Sequence, residues 1–272
     1  MKQALRQLAD VPDEQFDLAD TALILASLDR PRVSLERYRL HLRDIAAAVT
    51  RKAAGNDAAS LESRAAALLA VMAGEFGYHG DELTYDDLQN ANLMRVIDRR
   101  KGLPVALGIL YIHAARAQGW SAFGLNFPAH FLIALELGGS RLIRDPFAHR
   151  CLTDANELRV FLKSVAGQAS ELSPLHCMPL GNRAVLLRLQ NNIKARLAGQ
   201  GRSDQAAAVL DRMLLFAPAE TELWREAGML HAQTGNLRAA LAALEHYVTV
   251  AQDSVARHHA VEFLKSLRRR LN

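Results

Sequence analysis

The last third of the chain repeats itself, and this limits the architecture more than any other feature of the 272 residues. Gly201 and Gly235, Ala206 and Ala240, and Leu210 and Leu244 are each 34 positions apart. The two units read "LRLQNNIKARLAGQGRSDQAAAVLDRMLLFAP" and "TELWREAGMLHAQTGNLRAALAALEHYVTVAQ". Each is an amphipathic helix, a glycine-bearing turn and a second amphipathic helix. A unit of this kind cannot cover its own apolar face, so it must stack on neighbours. The segment "DSVARHHAVEFLKSLRRRLN" then reads as a closing helix with a polar, basic outer face, and the other end of the stack must be covered by chain that precedes it.

This period and pattern resemble the tetratricopeptide repeat. Trp224, Gly228, Ala240 and Pro218 fall at signature positions, whereas the first unit has Gln190 and Lys194 where the large aromatic and the small residue usually stand. Composition agrees with a helical chain: half the residues are hydrophobic and only 6% aromatic. The net charge of +4, from 33 basic and 29 acidic residues, is concentrated partly in the tail "LKSLRRRLN" and does not point to nucleic acid. Two cysteines, Cys151 and Cys177, make no disulfide framework and suit a reducing compartment. The N-terminus turns acidic within "MKQALRQLADVPDEQFD", and no apolar run approaches the roughly 18 residues of a membrane span. A cytoplasmic location and no membrane partner are expected.

Upstream, "DLADTALILASL", "VSLERYRLHLRDIAAAV" and "LESRAAALLAVMAGEF" have helical apolar spacing. They form an expected helical lead-in over residues 1–75, packed on the core. A polar connection, "GYHGDELTYDDLQNANLMRVIDRRKG", follows and ends in a short helix. A further helix is expected from Pro104 to about Gln118, opened by proline at its first position, where a missing N–H costs little. The pattern then changes: "SAFGLNF", "HFLIALEL" and "RLIRD" read as strands. If Gly138-Gly139 makes a two-residue primed turn, Leu137 faces Ser140 and Glu136 faces Arg141. Continuing that register brings His130 diagonally beside Asp145, at the end of the hairpin remote from the turn. The same register puts Arg144 on the more apolar face.

A helix N-terminus opposite a hairpin that offers His and then Asp is the ground plan of a thiol-dependent acyl-transfer site. Such a site needs a nucleophile at the helix start, a His to exchange its proton and an Asp to orient the imidazole. The run "NLMRVIDRRKGLPVALGILYIHAARAQGW…FGLNFPAHFLIALEL…LIRDPF", followed by the repeats, resembles the bacterial transglutaminase-like family often called SirB-one. The resemblance implies an α+β, mostly helical protein. A core similar to the transglutaminase and papain-like fold, with a small antiparallel sheet, would span 76–180. An all-α tetratricopeptide-like subdomain with a capping helix would span 181–272.

Active members of the wider family carry Gly-x-Cys at the helix start. By that spacing, counted back from Gly119, the resemblance places Gly102-Leu103-Pro104 there. It matches His130 and Asp145 to the family's His and Asp, with Pro104 in the nucleophile's place. Leu103, Val105 and Ala106 cannot replace a thiol. Cys151 lacks a helix N-terminus to favour its thiolate, and Cys177 lies in an irregular linker. His130, Asp145, His149 and Cys151 are all ligand types, but no paired ligand spacing supports a metal site. His113 and His246 read as satisfied or surface residues, and His258 and His259 as solvent-facing. No phosphate loop or dinucleotide fingerprint occurs, so no cofactor is expected. The run "DRRKG" reads either as a basic rim that attracts an acidic partner or, the favoured reading, as a solvated helix end with positive charge near its carbonyls.

The expected function is that of a non-catalytic peptide- or protein-binding or regulatory protein. Its cleft would be lined by Asn92, Gly102, Pro104, Pro128 and Phe147, with His130 and Asp145 as a remnant. The alternative is a hydrolase or amide-processing enzyme that uses the His130/Asp145 dyad without a cysteine.

Overall fold

The computed structural model describes residues 1–54 and 59–271. The chain divides into two compact units, one spanning Asp13–Leu189 and the other made of Met1–Pro12 with Gln190–Asn272. The segment read as a lead-in over 1–75 therefore divides, its first twelve residues grouping with the C-terminal helices.

In the larger unit, α2 (Leu18–Ser27), α3 (Glu36–Ala54) and α4 (Leu61–Leu69, continued by a π-helical turn to Glu75) precede α5 (Leu93–Arg99) and α6 (Pro104–Arg116); the short α1 (Lys2–Gln7) belongs to the other unit. Local chemistry sets the starts. The Asp17 carboxylate accepts from Asp20 N, Ser60 and Ser63 form a reciprocal cap, and Asn92 accepts from Arg95 N. Pro104 is the first residue of α6, after Leu103, which gives no side-chain cap. Eleven of the thirteen residues of α6 are buried. A helix covered on all sides is the centre of a core, and α2, α3, α4 and α5 all pack on it.

The sheet lies against this helix. After β1 (His79–Gly80) and β2 (Lys101–Gly102), which form a two-stranded parallel pair, come β3 (Ser121–Leu125), β4 (Ile133–Leu137), β5 (Ser140–Arg144), β6 (Cys151–Leu152) and, beyond α7 (Ala155–Ala166), β7 (Pro179–Leu180). The last five make one antiparallel sheet in the order β6-β5-β4-β3-β7. The β4–β5 register is the one the Gly138-Gly139 turn demands: Leu137 faces Ser140, Glu136 faces Arg141 and Ile133 faces Arg144. Both glycines have positive φ, at 58° and 82°.

Two close approaches lock helix to sheet. A Cβ on Gly108 of α6 would stand 2.4 Å from the Phe131 ring, and one on Gly124 of β3 would stand 2.5 Å from it. The Phe131 ring thus fills the space that these two glycines leave open.

In the other unit, α8 (Asn182–Gly199), which enters from the larger unit, is followed by α9 (Ser203–Phe216), α10 (Thr221–Gln233), α11 (Leu237–Val250) and α12 (Ser254–Leu271). The 34-residue period is realised as successive helix pairs, with Gly201 and Gly235 at positive φ in their turns. Within this unit the N-terminal α1 packs on α9 and buries Leu5 completely. No helix among the described residues is long and apolar enough to cross a membrane.

Candidate functional site

His130 does not lie in a strand, as its place in "HFLIALEL" suggested. The strand begins at Ile133, because Ala129 takes φ 60° and the His130 N–H donates to the Pro128 carbonyl at 2.7 Å. The turn nevertheless delivers the ring to Asp145: Nε2 lies 2.9 Å from Asp145 Oδ1. Phe147 and Phe161 meet the imidazole edge-to-face at 6.1 Å and 5.0 Å. Arg188 Nη2 donates to the His130 carbonyl at 2.6 Å.

The Asp145 side chain is 2% exposed. Burial works to raise its carboxyl, but the His130 hydrogen bond and charge, with the N–H groups of Phe147 and Ala148, outweigh it and hold the carboxyl below its usual range. An ionised Asp145 takes the Nε2 proton in its hydrogen bond, which leaves Nδ1 as the lone-pair nitrogen. Nδ1 has no hydrogen-bond partner among the described residues.

The loop after Asp145 is pinned from both sides. Asp145 N donates to the Arg150 carbonyl at 2.9 Å, and His149, at φ 58°, presents Nδ1 to the Tyr111 hydroxyl at 3.2 Å. A further hydrogen bond joins the His149 ring to the Tyr78 backbone. Burial dominates there and lowers the His149 pKa, which favours the neutral ring. Among the described non-glycine residues the positive-φ positions are Arg100, Ala129 and His149. Ala129 and His149 flank the dyad in sequence, and Arg100 is the left-handed C-cap of α5.

The expected cleft residues are engaged in structure to different degrees. The Asn92 amide caps α5 and donates to the Ala26 carbonyl at 3.0 Å, which occupies both of its ends. A Cβ on Gly102 would stand 2.7 Å from Val96 Cγ2 and 3.1 Å from the Asn90 carbonyl, so glycine is required by packing. Pro104 is buried, and Leu103 beside it is 1% exposed. Phe147 packs on Gly80, whose Cβ would meet its ring at 2.5 Å, and on Tyr85 at 5.8 Å between ring centroids. Pro128 and Phe147 remain partly exposed beside His130.

The "DRRKG" run is not the solvated helix end its charge suggested. Asp98 bonds Arg30, Arg37 and Tyr38, Arg99 and Lys101 pair with Asp81, and Arg100 donates to the Tyr78 hydroxyl at 2.8 Å. The Asp81 side chain is 2% exposed, and although burial opposes its ionisation, bonds from Thr84, Lys101 and Asn90 hold its carboxyl far below the usual range. The polar stretch 81–92 is thus a knot tied ahead of α6. The signal was available in the alternation of acids and bases, but only the fold pairs them.

The histidines set aside in sequence are placed as follows. His113 Nε2 reaches the Leu42 carbonyl, His246 packs at a tilt against Trp224 with ring centroids 4.1 Å apart, and His258 and His259 are exposed. No group of three potential metal ligands occurs among the described residues.

A second feature with chemical content lies wholly within the repeat unit. Two adjoining pits of about 550 and 490 Å³ share Met229 and Phe263, which are 51% and 36% exposed. The first is lined by α8, α10 and α12 side chains including Lys194, Glu226 and Arg270, and the second includes Arg225 and His259. Glu226 pairs with Lys194, Glu222 pairs with Arg225, and Asp253 caps α12, so each acid there has a local partner.

Comparison with known proteins agrees with these two parts. Residues 36–191 match the family described as transglutaminase-like superfamily, and residues 193–267 match a tetratricopeptide repeat family. Among curated relatives, a UPF0162 protein of Xylella fastidiosa (strain Temecula1) is 30% identical over 89% of this chain and 86% of its own length. A UPF0162 protein of Vibrio cholerae is 28% identical over 87% of the chain and 88% of its own. Protein SirB1 of Salmonella typhimurium is 26% identical over 66% of the chain and 67% of its own.

Proposed function

The chain belongs to the transglutaminase-like superfamily and carries tetratricopeptide repeats behind its core, and on that premise we propose that it is a non-catalytic member that binds a peptide or protein partner in the cytoplasm. The observation that carries this reading is Pro104. It is the buried first residue of α6, at the place where the family resemblance puts the nucleophilic cysteine, and neither it nor Leu103, Val105 or Ala106 can form a covalent acyl intermediate. His130 and Asp145 persist in this reading as a positioned but unpartnered remnant.

The repeat groove supports the binding half of the proposal. A largely apolar pit and a second pit of mixed lining, divided by Met229 and Phe263, suit a peptide that places an apolar side chain in the first and a partly polar one in the second. With the acids locally paired, Arg270 and His259 favour a peptide that also bears an acidic group. A peptide array probed with the full chain tests this. The expected result is a set of bound sequences that combine apolar and acidic residues and that lose roughly tenfold or more in affinity for Met229→Glu. Equal binding by wild type and Met229→Glu contradicts the assignment.

The 2.9 Å His130–Asp145 bond favours a second reading, in which Nδ1 activates a water against a bound amide or ester. Turnover that depends on His130 is its signature.

A further inference from the structure

Arg144 is 4% exposed, yet it forms no ion pair with a carboxylate among the described residues. Its Nη1 donates to the His149 carbonyl at 3.0 Å and its Nη2 to Cys151 Sγ at 3.2 Å, while Nε is buried without a partner. A buried cation without a counter-ion, and a buried N–H without an acceptor, are both costly. The geometry of the guanidinium ties the two facts to one place. Nε–H and one Nη2–H leave the same edge of the planar group, parallel to each other, as the fork that binds oxyanions in two bonds. Nη2, one arm of that fork, already reaches the sulfur of Cys151, the residue directly opposite Arg144 in the β5–β6 pair.

We propose that Cys151 is an oxidative modification site, at which a sulfur oxyanion is received by the Nε/Nη2 fork of Arg144. The oxidant is hydrogen peroxide. The sulfur attacks one peroxide oxygen, an S–O bond forms and the O–O bond breaks. The second oxygen leaves as water with the thiol proton, the sulfur is oxidised by two electrons, and the product is a sulfenic acid. Its oxygen supplies Nε with the acceptor it lacks, and its ionised form supplies the guanidinium with a counter-charge. Cys151 is partly exposed, so peroxide has access. The modified residue closes the loop that starts at Asp145, and the inference does not depend on whether that site binds or catalyses. Cys177 is an internal reference: burial pushes its thiol up against a smaller opposing effect of Arg141.

The test treats the reduced full chain with hydrogen peroxide and dimedone and reads each cysteine by peptide mass spectrometry. Labelling of Cys151 at least about tenfold faster than Cys177, and a comparable fall in the Cys151 rate in Arg144→Gln, are expected. Because Arg144→Gln removes a buried group and can fail to fold, a second measurement uses charge alone. Cys151→Asp places a carboxylate at the fork and is expected to melt at least about 2 °C above the neutral Cys151→Asn. Equal labelling of the two cysteines, or Cys151→Asp melting at or below Cys151→Asn, overturns the proposal.

Discussion

Two histidine–carboxylate pairs in this molecule share one contact, Nε2 to Oδ1 at 2.9 Å: His130–Asp145 in the larger unit and His231–Asp211 in the repeat unit. Their surroundings differ. The Asp145 side chain is 2% exposed and takes two backbone N–H groups besides the imidazole, whereas the Asp211 side chain is 56% exposed. His130 follows a positive-φ residue and is ringed by Phe147 and Phe161, while His231 joins α9 to α10. A short His–Asp distance therefore says little by itself. The burial of the acid and the number of groups that fix it distinguish a built dyad from a helix-to-helix clasp.

The largest effect that can break this comparison is expected from Asp145→Ala. It removes the buried acceptor shared by the His130 ring and two backbone N–H groups and should cost about 3–5 kcal/mol in denaturant unfolding. Gly108→Ala tests whether the scaffold under His130 is tight. The added methyl meets Phe131, which Gly124 hems in from the other side, and should cost roughly 1–3 kcal/mol. Unchanged stability would mean that Phe131 moves freely and that the dyad is less fixed than its contacts imply.

A third, smaller effect is a pH profile. His41 Nε2 lies against the Tyr78 hydroxyl and Arg100, and burial first, then the Arg100 charge, lowers its pKa to about 4. The unfolded chain binds the extra proton below about 6.5, so stability from this group is complete above that pH and is lost as pH falls toward 4. His41→Gln should flatten the melting-temperature profile between those values. The Asp145 contribution is present above the ordinary carboxylate range and fades only below it, so the two windows separate. The smallest effect belongs to Asp211→Ala, expected below about 1 kcal/mol because its carboxylate is open to solvent. A cost equal to that of Asp145→Ala would erase the distinction between the pairs.

What the sequence made legible follows from period. The repeats are visible because 34 residues recur, and the β4–β5 register because the Gly138-Gly139 turn admits one pairing. His130 was brought to Asp145 by extending that register, which reached the right neighbour although the strand stops at Ile133; the Ala129 turn that makes the contact leaves no periodic trace. Burial of Arg144 was foreshadowed by its place on the apolar face, but its pairing with Cys151 depends on β6, a two-residue strand too short for alternation. The same shortness hid β1, β2 and β7. In "DRRKG" every charge was visible, and its partners Asp81, Arg30 and Tyr78 are brought to it only by tertiary structure.

The central claim, that this chain keeps a positioned His–Asp pair without covalent or hydrolytic chemistry, is tested most directly by measuring ester and amide turnover, with mass detection of acyl adducts, on wild type and His130→Ala side by side. The same background rate and no adduct are expected for both proteins. Turnover or an acyl adduct present in wild type and lost in His130→Ala would contradict it.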